Sequence, residues 1–351
     1  MSDSAAAPSL WAQSAAAMRS LAPGIALSGA VAIAAVLLAP QVARAFPIPA
    51  MVLALFVGIV LNPLARRPAF EKGIEFCVKT LLRWAVALLG LRIALGEIVA
   101  LGLTTALIVV LAMAVTLVAG IMIARAFGQN DFYGALAGAG TAVCGASATL
   151  ATASVLPAYK GKEADIAFVV VAVNALSTLA MVVYPLICLW LGFSAQATGV
   201  MLGGTIHDVA QVAGAGYAVS EPVGNTAIIV KLFRVLLLLP IVLGVDYWFA
   251  RATATAARAK VPAPVFAFVF LALCIVNSLV PADGALASVY APVKAALLEF
   301  STWGLLFAIG ALGLGTSVAA IRALGWRHVA TVSGTTAVIL ALVTALLVTL
   351  G

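Results

Sequence analysis

Residues 197–217 read ATGVMLGGTIHDVAQVAGAGY, an apolar stretch with five glycines and with His207, Asp208 and Gln211 near its centre. A charged residue at mid-membrane depth costs at least ~2.5–3.5 kcal/mol on insertion scales, so it faces a cavity or a partner. On a continuous helix His207 and Gln211, four apart, share one face. Asp208 there carries a proton, binds a cation or neutralises a buried base; the structural alternative is an ion pair with the next segment.

That next segment contains KLFRVLLLLP, which sets Lys231 and Arg234 three apart inside the apolar run Ala227–Leu243. They lie too deep to be anchors at a membrane surface. Two cations on one face suit a divalent oxyanion, and arginine offers a bidentate fork. The plainer reading is that Asp208 and end-of-helix carbonyls satisfy them.

The whole chain agrees with these segments. Of its 351 residues 65% are hydrophobic and 9% charged, and the mean hydropathy is +1.21. Soluble domains carry roughly 45–50% apolar and about 25% charged residues, so a soluble enzyme, a nucleic-acid-binding domain and a disordered chain are excluded. The fold class expected is an all-α polytopic membrane protein of about 11 transmembrane helices, each of ~20 residues. The spans fall near 21–40, 48–65, 76–95, 98–124, 131–156, 164–191, 197–217, 223–249, 264–281, 290–318 and 326–350. Residues 1–20 read as a cytoplasmic N-terminal segment without a cleavable signal, and 21–351 as a single transmembrane domain.

The net charge of +7 needs no nucleic acid, because basic residues gather in cytoplasmic loops. With eleven crossings one side carries Arg19, Arg66, Arg67, Lys72, Arg125, Arg251, Arg258, Lys260, Arg322 and Arg327, and the other Arg44, Lys160, Lys162 and Lys294. Ten against four places the N-terminus in the cytoplasm. If 197–217 alone entered and left on one side, the bias would fall to six against eight, so a crossing is expected there. Cys77, Cys144, Cys188 and Cys274 are widely spaced and suggest neither zinc nor a redox pair.

Two further segments invite helix breaks. Residues 131–156 bring Gly134, Gly138, Gly140 and Gly145 together with Thr141, Cys144, Ser147, Thr149, Thr152 and Ser154. A break there frees amide groups and a positive dipole end, which suit an anion; the alternative is close small-residue packing. The run AIGALGLGTS sets Gly310, Gly313 and Gly315 before Thr316 and Ser317 and raises the same pair of readings. Seven of fourteen positions match between Leu89–Gly102 and Leu312–Gly325. A rival alignment pairs Gly134, Leu136, Gly140, Gly145 and Ser147 with Gly304, Leu306, Gly310, Gly315 and Ser317. Both describe inverted repeats with interrupted helices, a signature of secondary transporters.

The run Ala142-Val143-Cys144-Gly145-Ala146-Ser147-Ala148 resembles the CGxSA motif of the sulfate exporter family, the YeiH-type conserved hypothetical membrane proteins. So do Gly204, Ile206, His207, Asp208, Ala210, Gln211 and Val212, then Lys231, Leu232, Arg234, Val235 and Leu236, and the late Gly313–Ser317 run. The resemblance spans roughly residues 45–350. It implies the superfamily of cation–proton antiporters and bile-acid sodium symporters, whose crossing interrupted helices sit in a core domain that shifts against a scaffold. Cys144-Gly145 stands where many proton antiporters carry an Asp-Asp or Asn-Asp pair.

The function expected is a secondary-active exporter of sulfate or a small sulfonate or carboxylate in a bacterial inner membrane. Cys144, Gly145, Ser147, Gly315, Thr316 and Ser317 would offer amides and hydroxyls, and Lys231 and Arg234 would compensate substrate charge. His207 and Asp208, beside Gln211, would couple protons or gate. No GxxxxGK[ST] run occurs, so an ion gradient, of protons or sodium, would drive transport without a cofactor. The rival is a sodium- or proton-coupled cation antiporter using Asp208; an intramembrane enzyme lacks any readable motif. The expected partners are the lipid bilayer, the anion and the coupling ion, and the resemblance leaves room for a homodimer.

Overall fold

The computed structural model describes residues 10–42, 49–250, 264–280, 285–316 and 325–350, and every regular element among them is helical. In chain order these are α1 (Leu10–Val42), α2 (Ala50–Val60), α3 (Asn62–Ala65), α4 (Pro68–Phe76), α5 (Leu82–Leu88), α6 (Leu95–Ala100), α7 (Gly102–Ala126), α8 (Asp131–Ala142) and α9 (Ala146–Val155). There follow α10 (Lys162–Trp190), α11 (Ala195–Thr205), α12 (Val209–Val219), α13 (Glu221–Leu236), α14 (Leu238–Ala250), α15 (Val265–Leu279), α16 (Ala285–Gly315) and α17 (Trp326–Leu350). Among the described residues, six stretches are long and apolar enough to cross a membrane: Met18–Val42, Gly102–Ala126, Lys162–Trp190, Glu221–Phe249, Ala287–Gly315 and Trp326–Leu350. The protein is therefore a multi-pass, all-helical membrane protein.

The chain divides into two compact units, Met1–Ala85 with Phe300–Ser317, and Val86–Glu299 with Val318–Gly351. In the first, α2 packs along the end of α16. A Cβ on Gly58 would lie 2.5 Å from the Gly310 carbonyl oxygen, and one on Gly313 would lie 2.3 Å from that of Leu55. Asn62 Nδ2 donates to the Leu314 carbonyl at 2.7 Å. Of the two readings of Gly310–Gly315, a break or close packing, the structure shows packing, since α16 runs unbroken to Gly315. Close packing on α2 at Gly313 and on Val31 and Ser28 of α1 at Gly310 offsets the helix-weakening cost of these two glycines, about 1 kcal/mol each. Thr316 ends the helix, its hydroxyl donating to the Leu312 carbonyl at 2.8 Å; Ser317 lies outside the described residues.

In the second unit, the segments 131–156 and 197–217 each turn back on themselves. The helices α8 and α9 are separated by Val143–Gly145. A Cβ on Gly140 would lie 2.6 Å from Thr149 Oγ1, and the Phe132 and Tyr159 rings at the two ends stack 5.1 Å apart. Only a hairpin brings both pairs together, because 1.5 Å of rise per residue would hold them far apart on a straight path.

The helices α11 and α12 repeat the device around Ile206–Asp208. Gly199 packs on Val223 and Thr226 of α13, and Gly203 on Ala227 and Val230, so α11 and α13 run parallel. Gly216 of α12 meets Gly224, and Tyr217 OH donates to Asn225 Oδ1 at 3.0 Å, so α12 runs back toward the start of α13. One hairpin leads into the N-terminal end of α10 and the other leaves its C-terminal end. The expectation of eleven crossings is not confirmed: at these two segments glycine at the helix contacts lets the chain double back. The second repeat alignment, 134–147 on 304–317, pairs a hairpin with an unbroken helix.

Candidate functional site

The tips of the two hairpins meet. A Cβ on Gly145 would lie 3.8 Å from the His207 carbonyl oxygen, and Gly145 itself takes φ +64° and ψ −123°, a backbone conformation open to glycine at little cost. Four half-helix ends converge here: the carbonyl ends of α8 and α11 and the amide ends of α9 and α12.

Lys231 and Arg234, fully buried on α13, bind the carbonyl ends. Lys231 Nζ donates to the carbonyls of Val143 at 2.6 Å, Ile206 at 2.9 Å and His207 at 2.5 Å. Arg234 Nε donates to Ala142 at 2.9 Å and Nη2 to Thr141 at 2.8 Å. Its Nη1 donates to both Gly203 and Ile206 at 2.9 Å. Last-turn carbonyls lack intrahelical partners and carry the negative dipole end, so the two cations satisfy the ends of both hairpins at once. The carbonyl reading, not the ion pair with a substrate, accounts for their hydrogen bonds.

The amide ends are treated differently. Asp208 caps α12, accepting from the Ala210 amide at 2.8 Å, and its own amide donates to Ser177 Oγ at 3.1 Å. Among the described residues no side chain caps α9; its second residue, Ser147, is exposed, while Cys144 beside it is buried. Gln211 lies in the first turn of α12, where Nε2 donates to Asn174 Oδ1 at 3.2 Å and Thr178 Oγ1 at 3.4 Å. Its buried Oε1 has no hydrogen-bond partner among the described residues. The helix ends at Thr205, so His207 belongs to the tip and does not share a helical face with Gln211.

His207 Nε2 meets Thr336 Oγ1 at 3.0 Å. That hydroxyl donates to the Val332 carbonyl at 2.8 Å, so it accepts from His207 Nε2–H and leaves Nδ1 the bare nitrogen. Neighbouring Thr335 reaches the other hairpin, its hydroxyl 2.9 Å from Thr141 Oγ1. Of the residues singled out in the sequence, the tips gather Cys144, Gly145, Ser147, His207, Asp208, Gln211, Lys231 and Arg234. Gly315 and Thr316 belong to the other unit. Asn174, Ser177, Thr178, Thr335 and Thr336 went unnoticed, although polar residues at helical spacing inside apolar runs were the available signal.

The family profile of conserved hypothetical protein 698 matches residues 23–332. The chain belongs to that family. This family member is similar to the UPF0324 membrane protein CT0845 of Chlorobaculum tepidum, 37% identical over 308 residues that cover 88% of this chain and 84% of that one. It is 39% identical over 323 residues to the UPF0324 membrane protein TauZ of Paracoccus denitrificans, covering 92% and 93% of the two chains. The TauZ of Paracoccus pantotrophus is 41% identical over 333 residues, covering 94% and 95%.

Proposed function

We propose that the protein is a secondary-active transporter of small anions, sulfate or a small sulfonate or carboxylate, working by alternating access and driven by an ion gradient. One observation carries this: two hairpins enter from opposite ends of α10, and their tips meet around two buried cations. Non-helical backbone at membrane depth is tolerated where it is buried in protein or lines a watery cavity, and half-helix ends at such a point bind substrates and coupling ions in transporters.

The charge arrangement selects an anion. Lys231 and Arg234 compensate the carbonyl ends, and Asp208 compensates the amide end of α12. The amide end of α9, at Gly145, Ala146 and exposed Ser147, has no capping side chain among the described residues and suits a negative oxygen. Lys231 and Arg234 then favour the anion through their field, their hydrogen bonds being taken by carbonyls.

The hairpins also support an inverted repeat, α8–α10 against α11–α13, in place of either sequence alignment. Two returns instead of two crossings transfer Lys160 and Lys162 to the arginine-rich side, so the loop count becomes twelve against two, leaving Arg44 and Lys294 opposite. This supports a cytoplasmic N-terminus in a bacterial inner membrane.

The experiment is labelled sulfate flux in proteoliposomes, with and without a pH gradient, for wild type and Ser147→Asp. A carboxylate in the first turn of α9 favours the helix and competes with an anion. Saturable gradient-driven flux lost in Ser147→Asp establishes the reading, and equal flux in both removes α9 from the path. The partly exposed Asp208 at the tip favours a second reading, a cation antiporter. In that case Asp208→Asn abolishes sodium or proton exchange and sulfate leaves the exchange unchanged.

A further inference from the structure

Lys231 has three N–H bonds, and each finds a main-chain carbonyl at hairpin tips: Val143 from one, Ile206 and His207 from the other. The ammonium is fully buried. A monovalent positive charge ringed by carbonyl oxygens from unwound backbone is the environment in which interrupted-helix transporters hold a coupling Na+, and carbonyl rings likewise replace the hydration shell of K+. Here the charge arrives covalently attached to α13. Arg234 strengthens the comparison, because it shares the Ile206 carbonyl and closes the remaining carbonyls of Thr141, Ala142 and Gly203.

We propose that the Lys231 ammonium is a tethered substitute for a bound alkali cation, so that the wild-type protein assembles its hairpin tips without Na+ or K+. Removing the side chain then opens a site for a small cation between the Val143, Ile206 and His207 carbonyls. The inference rests on the transporter reading only in treating the tips as a substrate site; the cage exists whatever is carried.

Lys231→Ala deletes the three methylene carbons and the nitrogen that n-propylammonium restores. Lys231→Met keeps an apolar stem in the space and supplies no charge. Thermal unfolding of the full-length detergent-purified protein is measured in chloride salts of sodium, potassium, n-propylammonium and choline at equal ionic strength. Wild type is expected to show the same Tm in sodium, potassium and choline, within about 1 °C. Lys231→Ala is expected to rise saturably with propylammonium, by about 3 °C or more, and Lys231→Met to stay flat.

A saturable response of wild type to sodium or potassium overturns the proposal, as does a Lys231→Ala response no larger than that of Lys231→Met. If Lys231→Ala is recovered from cells only when propylammonium is present, the proposal is supported; if it is recovered in neither propylammonium nor choline, the proposal fails. The readout is stability, so absence of sulfate flux and absence of rescue are separate results.

Discussion

Arg234 Nη2 and the Thr141 carbonyl oxygen lie 2.8 Å apart although 93 residues separate them in the chain. The same guanidinium binds Ala142 in one hairpin and Gly203 and Ile206 in the other. One planar fork thus fixes the distance between two re-entrant tips. Arg234→Ala removes four hydrogen bonds to buried carbonyls, of which Ile206 keeps Lys231 as a donor, and is expected to cost about 3 kcal/mol or more, each hydrogen bond to a charged group contributing about 1.5–3. Arg234→Lys keeps the charge but not the fork, and is expected to recover less than half of the loss. Chemical denaturation in detergent measures both.

Gly145→Ala tests the other tip. Its nearest neighbours to an added Cβ are Val173 Cγ2 at 3.7 Å and the His207 carbonyl oxygen at 3.8 Å, so space is adequate. The cost is then the φ of +64°, expected at about 1–3 kcal/mol. Under the transporter reading, any rotation that relieves this strain swings the first amides of α9. Transport should fall further than stability does. A Tm unchanged within 1 °C would show that the tip relaxes without strain.

Thr336 joins α17 to His207, and neighbouring Thr335 joins it to Thr141. Thr336→Val removes the acceptor for His207 Nε2–H in a fully buried setting and is expected to cost about 1–3 kcal/mol. Thr336→Ser keeps the hydroxyl and should lose less than half as much. An unchanged Tm in Thr336→Val would show that the hydrogen bond to His207 contributes nothing to stability.

The membrane class and the polar tips were legible in the sequence because each rests on local composition. Glycine density foretold the break at Gly145, and the mid-membrane cost of charge singled out Asp208, Lys231 and Arg234. The turns back were not legible. A broken crossing helix and a hairpin of two half-helices share the same apolar length and the same glycines. What separates them is long-range packing, such as Gly140 on Thr149 and Gly216 on Gly224. The loop-charge test failed for the same reason. It flipped one segment at a time, whereas two returns flank α10 and restore the bias together. In α16 the glycines Gly310 and Gly313 resemble a break but face α1 and α2 respectively, partners that no local pattern reveals.

Asp131 gives a pH prediction away from the tips. Arg125 Nε and Nη2 each reach a carboxylate oxygen at 2.6 Å. The hydrogen bonds, aided by the guanidinium charge, outweigh partial burial and hold the Asp131 carboxyl below the usual range. A lowered folded value means the contribution is present above the unfolded value, about 3.9. It is lost as pH falls through the lowered one. The stability difference between wild type and Asp131→Asn should be constant from about pH 5 to 8 and shrink only in more acid solution. The pair is solvent-exposed, so the difference should be small and reduced by salt. A difference that grows toward acid pH would reverse the sign and reject the pairing.

The hairpins themselves predict sidedness. Ala126 ends α7 and Ala158 follows α9; both are exposed and bracket one hairpin. Gln196 in α11 and Val219 in α12 are exposed and bracket the other. Single cysteines at these four positions should react with a membrane-impermeant maleimide in two pairs. Ala126→Cys and Ala158→Cys should label from one side of the membrane, Gln196→Cys and Val219→Cys from the opposite side. The native thiols of Cys77, Cys144, Cys188 and Cys274 are all buried and should give little background. Eleven straight crossings would split each pair between the two sides, so a single mismatched pair restores a crossing helix at that segment. Loss of one hairpin would also dissolve the cage around Lys231, because its three acceptors come from both tips.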